Sequence, residues 1–303
     1  MTLIVLVATS DYVVQVADRR LTGGGPGVRD QNKTLVVHLP NGAKLLVGYA
    51  GLAHWGKAMN RELVLLIRNL FENVGMDVEA FYGGLAAALE RQFRESDIAR
   101  IPRASKRFSL VVASIGEGTK RSPLVKCVTV SNYLRFETTE GEDDASHTFE
   151  TVFYNLEPVQ EAGQSAVITI GDDAEFQSSA QQYRELLNQG KGAAYMRDRI
   201  VADVIRFNPR SRTVGDDVHS VVIGHDFEVN PDYHVAREAD RWSFVDQMLI
   251  SADMSVLAAV AGELTVGSVA GQPEGAIRRP RQSKKSRCWC GSGRRFSQCH
   301  GRF

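Results

Sequence analysis

The sequence predicts an α+β protein: a four-layer αββα sandwich of two antiparallel sheets between helix pairs, with a small C-terminal zinc knuckle on a flexible linker. Three observations lead there. Apolar, β-branched runs alternate with paired amphipathic stretches in the order strands, two helices, strands, two helices, strands. The strands are apolar on successive residues, the pattern of sheets covered on both faces. The composition then changes to a small, Pro-containing, basic stretch, and three of the four cysteines crowd into the last sixteen residues.

TLIVLVATS and YVVQVADRR read as a hairpin around a short Asp-bearing turn, and LTGGGPGVRDQ as a Gly-rich loop. KTLVVHLP and KLLVGYAG are two further strands turning at Pro40-Asn41-Gly42. AHWGKAMNRELVLLIRNLFENV and VEAFYGGLAAALERQFRESD carry apolar residues at helical spacing, the second despite Gly83 and Gly84. His54 and Trp55 fall at the expected start of the first helix. RFSLVVASIG, PLVKCVTVSN, NYLRFETTE, HTFETVFYN and SAVITIGDD are strands, with GEDDASH an exposed acidic loop. AEFQSSAQQYRELLNQ and AAYMRDRIVADVIRFN form the second helix pair, and VHSVVIGHDFEV returns to strand. From Arg241 to Leu264 the apolar spacing (Trp242, Phe244, Val245, Met248, Leu249) predicts another helix. The expected division is a sandwich domain over 2–236, a helical extension over 237–265, a basic linker over 266–286 and a metal-binding motif over 287–303.

The chain has 303 residues, 43 % hydrophobic and 24 % charged, enough for one large domain or two ordinary ones. Lys+Arg and Asp+Glu both number 36, so no global charge points to nucleic acid or an anionic membrane as main partner. The opening apolar run, Leu3 to Ala8, lacks a basic region before it and is too short for a span of about 20 residues. Met248 to Val269 is interrupted by Asp253 and Glu263. No membrane span and a cytoplasmic location are expected. Cys127, alone in LVKCVTVS, reads as a buried small hydrophobe.

The N-terminal residues carry a resemblance. Thr2, Ala17-Asp18-Arg19-Arg20, Lys33 and Ala50-Gly51 match in order and approximate spacing the pattern of proteasome β-type subunits and their bacterial ring-forming relatives. These are N-terminal-nucleophile hydrolases with an αββα sandwich. The resemblance implies that Thr2 becomes the nucleophile after Met1 is removed. Its α-amine, of ordinary pKa about 7.7–8.0, would serve as base. Lys33 would lower the proton affinity of amine and hydroxyl, Asp18 would hold Lys33, and Arg20 would take the adjacent structural position. The Gly51 N–H would form the oxyanion hole. Ala53 would face a roomy first substrate pocket. Taken singly, a threonine at position two favours only methionine removal, and an Asp-Arg-Arg strand end is a solvated ion-pair cluster.

The chain also departs from that family. Gly171-Asp172-Asp173 stands where a G-S-G turn is usual, and NPRSRTVGDDV where R-D-x-x-S-G is usual. Gly215 matches, but Ser211 and Val214 fall near the aspartate and serine positions. Asp172 or Asp216 could replace the orienting carboxylate.

The tail reads SRCWCGSGRRFSQCHGRF. Cys288, Cys290, Cys299 and His300 have the spacing C-x-C-x8-C-H, a donor set able to close a tetrahedral Zn²⁺ site. So short a segment needs metal to fold; a cluster of reactive cysteines is the alternative. The run closely resembles the SEC-C motif that ends the SecA translocation motor, C-x-C-G-S-G-x-x-[FY]-x-x-C-[HC]. That resemblance implies structural zinc and docking to a partner such as a secretion chaperone or the ribosome. The basic residues around it, Arg278 to Arg302, suit an acidic protein surface or ribosomal RNA, or simply a solvated linker.

Three functional readings follow. The first is a threonine amide hydrolase, a peptidase, in a homo-oligomer or ring, served by an ATP-driven unfoldase, whose zinc tail recruits peptide or protein substrates or a partner. The second is an inactive binding or adaptor protein on the same scaffold. The third is a small-amide amidase.

Overall fold

The computed structural model describes residues 3–19, 32–52, 54–55, 57–75, 77–95, 97–116, 124–135, 140–141, 145–156, 165–171, 177–207, 217–234, 246–251, 253, 255–260 and 263–268. Strands β1 (Leu3–Thr9) and β2 (Val13–Asp18) pair as the expected hairpin. Its turn is held by Thr9, whose hydroxyl accepts the Asp11 and Tyr12 N–H groups, each at 3.2 Å. Strands β3 (Thr34–His38) and β4 (Lys44–Gly51) form a second hairpin. There Gly42 supplies a φ of 85° and Asn41 Oδ1 accepts the Ala43 N–H.

Next come β5 (His54–Trp55), β6 (Lys57–Ala58), α1 (Met59–Val74) and α2 (Val78–Glu95). His54 and Trp55 therefore lie in a short strand pair before the helix, not in its first turn. Asp77 caps α2 by accepting the Glu79 and Ala80 N–H groups at 2.9 and 3.2 Å. Gly84 of α2 faces α1, where a Cβ would lie 2.6 Å from Leu70 Cδ2 and require that side chain to shift.

Strands β7 (Phe108–Gly116) and β8 (Leu124–Ser131) follow, with the short pair β9 (Leu134–Arg135) and β10 (Glu140–Gly141) replacing the single strand expected over NYLRFETTE. Beyond them lie β11 (Glu150–Leu156), β12 (Ser165–Gly171), α3 (Gln177–Asn188), α4 (Ala193–Phe207), β13 (Val218–Ile223) and β14 (Val229–His234).

The segment expected to be a helical extension is instead β15 (Asp246–Ile250), β16 (Ser255–Val260) and β17 (Glu263–Ser268). The spacing that suggested a helix is also compatible with alternation. Met248, Ile250, Val256 and Ala258 enter the core under α1, while Leu249 and Leu257 pair on the opposite, exposed face. Asp253 closes the β15–β16 turn by accepting the Ser255 N–H at 3.0 Å. The sandwich thus extends to Ser268 rather than residue 236, and residues 266–268 belong to a strand rather than to the linker.

One sheet has the order β12-β1-β2-β13-β14, wholly antiparallel. The other has the order β11-β8-β7-β4-β3-β15-β16-β17, antiparallel except where β15 runs parallel to β3. Three cores separate four layers. Helices α1 and α2 pack on the larger sheet through Leu63, Ile67, Phe71, Phe81, Leu85 and Tyr49. The two sheets meet through Ile4, Leu6, Val36, Leu46, Val111 and Ile168. Helices α3 and α4 pack on the smaller sheet through Tyr183, Met196, Ile200 and Val204 against Val5 and Val16. This is the predicted sandwich, with one parallel pair added. Among the described residues no helix is long and apolar enough to cross a membrane. Cys127 is buried between the sheets, and burial pushes its thiol up to about 12, which makes it inert.

Candidate functional site

Polar side chains gather where the apolar strands end. The start of β1, the end of β2 and the start of β3 converge, and these are the positions of Leu3, Asp18 and Lys33. Asp18 and Lys33 are both wholly buried. The Lys33 ammonium donates to Asp18 Oδ2 at 3.2 Å, and the Leu3 backbone N–H donates to Asp18 Oδ1 at 2.7 Å. One carboxylate therefore ties the first residue of β1 to the lysine. Burying these two charges is favourable only because they are paired and hydrogen-bonded. Asp18 and its neighbour Arg19 are not the solvated cluster that the bare Asp-Arg-Arg sequence allows, since Arg19 is only 3 % exposed.

Further buried groups surround the pair. Tyr49 on β4 donates its backbone N–H to the Lys33 carbonyl at 3.2 Å and its hydroxyl to the Asn32 carbonyl at 3.3 Å. Burial, with the nearby Asp246 carboxylate at the start of β15, raises the Tyr49 pKa well above its ordinary value, so it stays a neutral donor. Asn32 Nδ2 donates to the Tyr233 hydroxyl at 3.1 Å. Tyr233 lies near the end of β14, and its ring lies 4.5 Å from that of His219 on β13. The Arg19 backbone N–H donates to the Asp217 carbonyl at 2.9 Å, continuing the β2–β13 pairing past the strand end.

Gly51 ends β4 with φ 99°. A Cβ there would come within 2.0 Å of the Arg107 carbonyl oxygen, so glycine is required by the pairing of β4 with β7 as well as by any role at the site.

Among the expected site residues, the structure brings Asp18 and Lys33 together and places Gly51 at the end of the strand that pairs with β3. Thr2, Arg20 and Ala53 lie outside the described residues, as do Asp172, Ser211, Val214, Asp216 and the four tail ligands Cys288, Cys290, Cys299 and His300. Arg19, Asn32, Tyr49, His219, Tyr233 and Asp246 were not anticipated from the sequence. Their signal was polar residues placed within or beside apolar strands, as in VHSVVI and QNKTLVV. No group of three or more His, Cys, Asp or Glu able to hold a metal occurs among the described residues.

No curated protein matches the sequence. The structure is similar to that of Anbu (ancestral beta-subunit) from Yersinia bercovieri, with 12 % identity, a TM-score of 0.49, and coverage of 78 % of this chain and 88 % of that one. Anbu from Hyphomicrobium sp. strain MC1 gives 11 % identity and a TM-score of 0.47, covering 78 % of this chain and 89 % of that one. The helical assembly of the Anbu complex from Pseudomonas aeruginosa gives 13 % and 0.48, covering 78 % and 88 %. Residues 285–302 match the SEC-C motif, a short stretch that accounts for the cysteine-rich tail and leaves the two-sheet domain to be read from its own residues.

Proposed function

We propose that the chain is an N-terminal threonine amide hydrolase, a peptidase, working in a homo-oligomer and carrying a zinc-binding tail that recruits substrate or a partner. The observation that supports it most is the Asp18 carboxylate, which grips the Leu3 N–H at 2.7 Å and the Lys33 ammonium at 3.2 Å. Leu3, the residue that follows Thr2 in the sequence, is thereby tied to the lysine through one buried carboxylate.

In this mechanism Met1 is removed and the Thr2 amine takes the proton of the Thr2 hydroxyl. The Oγ attacks the substrate carbonyl, and the Gly51 N–H stabilises the oxyanion. The leaving amine takes the proton, giving an acyl-enzyme that water hydrolyses. Lys33, held charged by Asp18, biases amine and hydroxyl toward proton release. Arg20 and the Ala53 pocket take supporting roles by resemblance alone.

Three thiolates and an imidazole form a donor set suited to zinc. Cys288, Cys290, Cys299 and His300 would hold it, and the bound ion would supply the cross-link that folds the tail. Four protein ligands leave no position for substrate, so the tail's part is docking, to an acidic protein surface or to the ribosome. A cytoplasmic setting, ring assembly and an ATP-driven unfoldase complete the proposal.

The test is intact mass before and after incubation with a peptide epoxyketone, which captures a free N-terminal threonine through hydroxyl and amine. The expected result is loss of Met1 and an adduct that disappears in Thr2→Ala. Retained Met1 would sink the mechanism. A processed chain with no adduct across several peptide sequences would favour the adaptor reading. One observation supports that second reading: Gly51 is already demanded by the Arg107 carbonyl, so its presence is explained without catalysis. A small-amide amidase would form adducts only with short reagents.

A further inference from the structure

Beside the Asp18–Lys33 pair lies a second buried cation that the mechanism does not use. Arg19 follows β2 and is 3 % exposed, yet its Nε and Nη1 meet no hydrogen-bond acceptor, and it joins no ion pair among the described residues. His219 is fully buried, and neither of its ring nitrogens meets a partner.

The two belong to one locality. Ala17 on β2 faces His219 on β13 across the sheet, and Arg19 lies two residues beyond Ala17, so it is the diagonal neighbour of His219 on the same face. That face looks toward the other sheet, because Val13 and Ala17 on β2 and Val221 and Ile223 on β13 all join the inter-sheet core. Both residues also pack on Tyr233, with the Arg19 guanidinium carbon 5.4 Å from the ring centroid and the His219 ring 4.5 Å away. A buried guanidinium with unmade N–H bonds is costly, and so is a buried imidazole with both nitrogens idle. The stacked ring offsets part of this, but a ring face does not accept a fork of N–H groups as a carboxylate does.

We propose that Arg19, with His219 as second donor, forms a carboxylate-binding site beside the Asp18–Lys33 pair, and that its occupant is the carboxylate of an acidic peptide. The guanidinium supplies charge and a planar fork matched to two carboxylate oxygens. Neutral His219 supplies one further N–H. Lys33 is held by Asp18, so among the described residues here Arg19 is the cation with donors to offer a ligand. The peptide identity of the occupant rests on the hydrolase reading; carboxylate binding itself does not.

The test has two arms on the full-length protein. In the first, the thermal midpoint is followed against glutarate and acetate at fixed pH and ionic strength, with glutaramide as the neutral control. The expected result is a saturable rise with the carboxylates alone, lost in Arg19→Gln, weakened in Arg19→Lys and reduced in His219→Gln. In the second, peptides differing only by Glu or Gln at single positions are compared. At one position Glu is expected to raise kcat/KM at least tenfold over Gln, the ratio falling to near unity in Arg19→Gln. No saturable response in the wild type, or the same response in Arg19→Gln, would overturn the site. If Arg19→Gln does not fold, the weakened response of Arg19→Lys carries the same decision. Glutarate binding without cleavage of any peptide would overturn the hydrolase reading and the peptide occupant, making a small free carboxylate the ligand.

Discussion

Replacing Lys33 by methionine keeps most of the side-chain volume and removes only the ammonium. Asp18 then stands fully buried, keeping the Leu3 N–H on one oxygen and losing the ammonium that lies 3.2 Å from the other. Breaking a buried pair by removing one partner costs about 3–5 kcal/mol, because the remaining charge is left uncompensated. For a domain of this size each kcal/mol moves the midpoint by about 2–4 °C, so Lys33→Met should melt roughly 6–20 °C lower. Calorimetry and urea unfolding of the full chain measure this. Asp18→Asn removes the charge but keeps an acceptor for the Leu3 N–H. The double variant Asp18→Asn/Lys33→Met should therefore be more stable than the sum of the single losses by about 0.5–3 kcal/mol. A Lys33→Met loss below about 1 kcal/mol, or strict additivity in the double variant, would refute the assignment of a paired, desolvated carboxylate at the head of β1.

Gly51→Ala should cost more than about 2 kcal/mol, from its φ of 99° and the 2.0 Å approach to the Arg107 carbonyl, and a lowered thermal midpoint would show it. Burial, then the charges of Arg19 and His234, push the His219 pKa down to about 3. The unfolded chain therefore binds the extra proton first. His219 adds no proton-linked penalty above about pH 6.5, and stability is lost as pH falls from there toward 3, by up to about 1.4 kcal/mol per pH unit. Urea midpoints at pH 7.5, 6 and 4.5, in buffers free of carboxylates, should fall less steeply in His219→Gln than in the wild type; equal slopes would contradict this. Elemental analysis should find one zinc per chain, lost in Cys288→Ser/Cys290→Ser. Chelation should leave the sandwich's melting unchanged, since its described strands end at Ser268, well before the tail ligands in the sequence.

The layers were legible because burial on both faces writes long apolar runs: LIVLVAT, KLLVGYAG and FSLVVASIG each sit where the sequence put them. The extension was misread because Phe244, Val245, Met248 and Leu249 satisfy helical spacing, while the deciding information was not local. β15 exists by lying parallel to β3, more than two hundred residues earlier in the chain. The turn chemistry of Ser251, Asp253 and Ser255 was a local clue, easily passed over inside an apolar stretch. At the site, Asp18 and Lys33 were named through a resemblance, and the structure pairs them at 3.2 Å. His219 carried no motif, and Arg19 filled only the variable position of Ala17-Asp18-Arg19-Arg20. Only the register of β2 against β13 puts them on one face, and register is a property of the pairing rather than of either strand alone.

The parallel contact between β3 and β15 also fixes an order of events during synthesis. The strand that begins just after Lys33 leaves the ribosome early, and β4 can pair with one side of it at once. Its other side has no neighbour until Asp246–Ile250 emerges. For most of translation, therefore, the lysine's strand is the open margin of a half-built sheet, exposed to pairing with any other nascent chain. The late segment acts as a latch. A chain cut short before residue 246 keeps Asp18 and Lys33 in its sequence but leaves the lysine's strand unsealed, so premature termination yields a species that should aggregate, not merely one that lacks a tail.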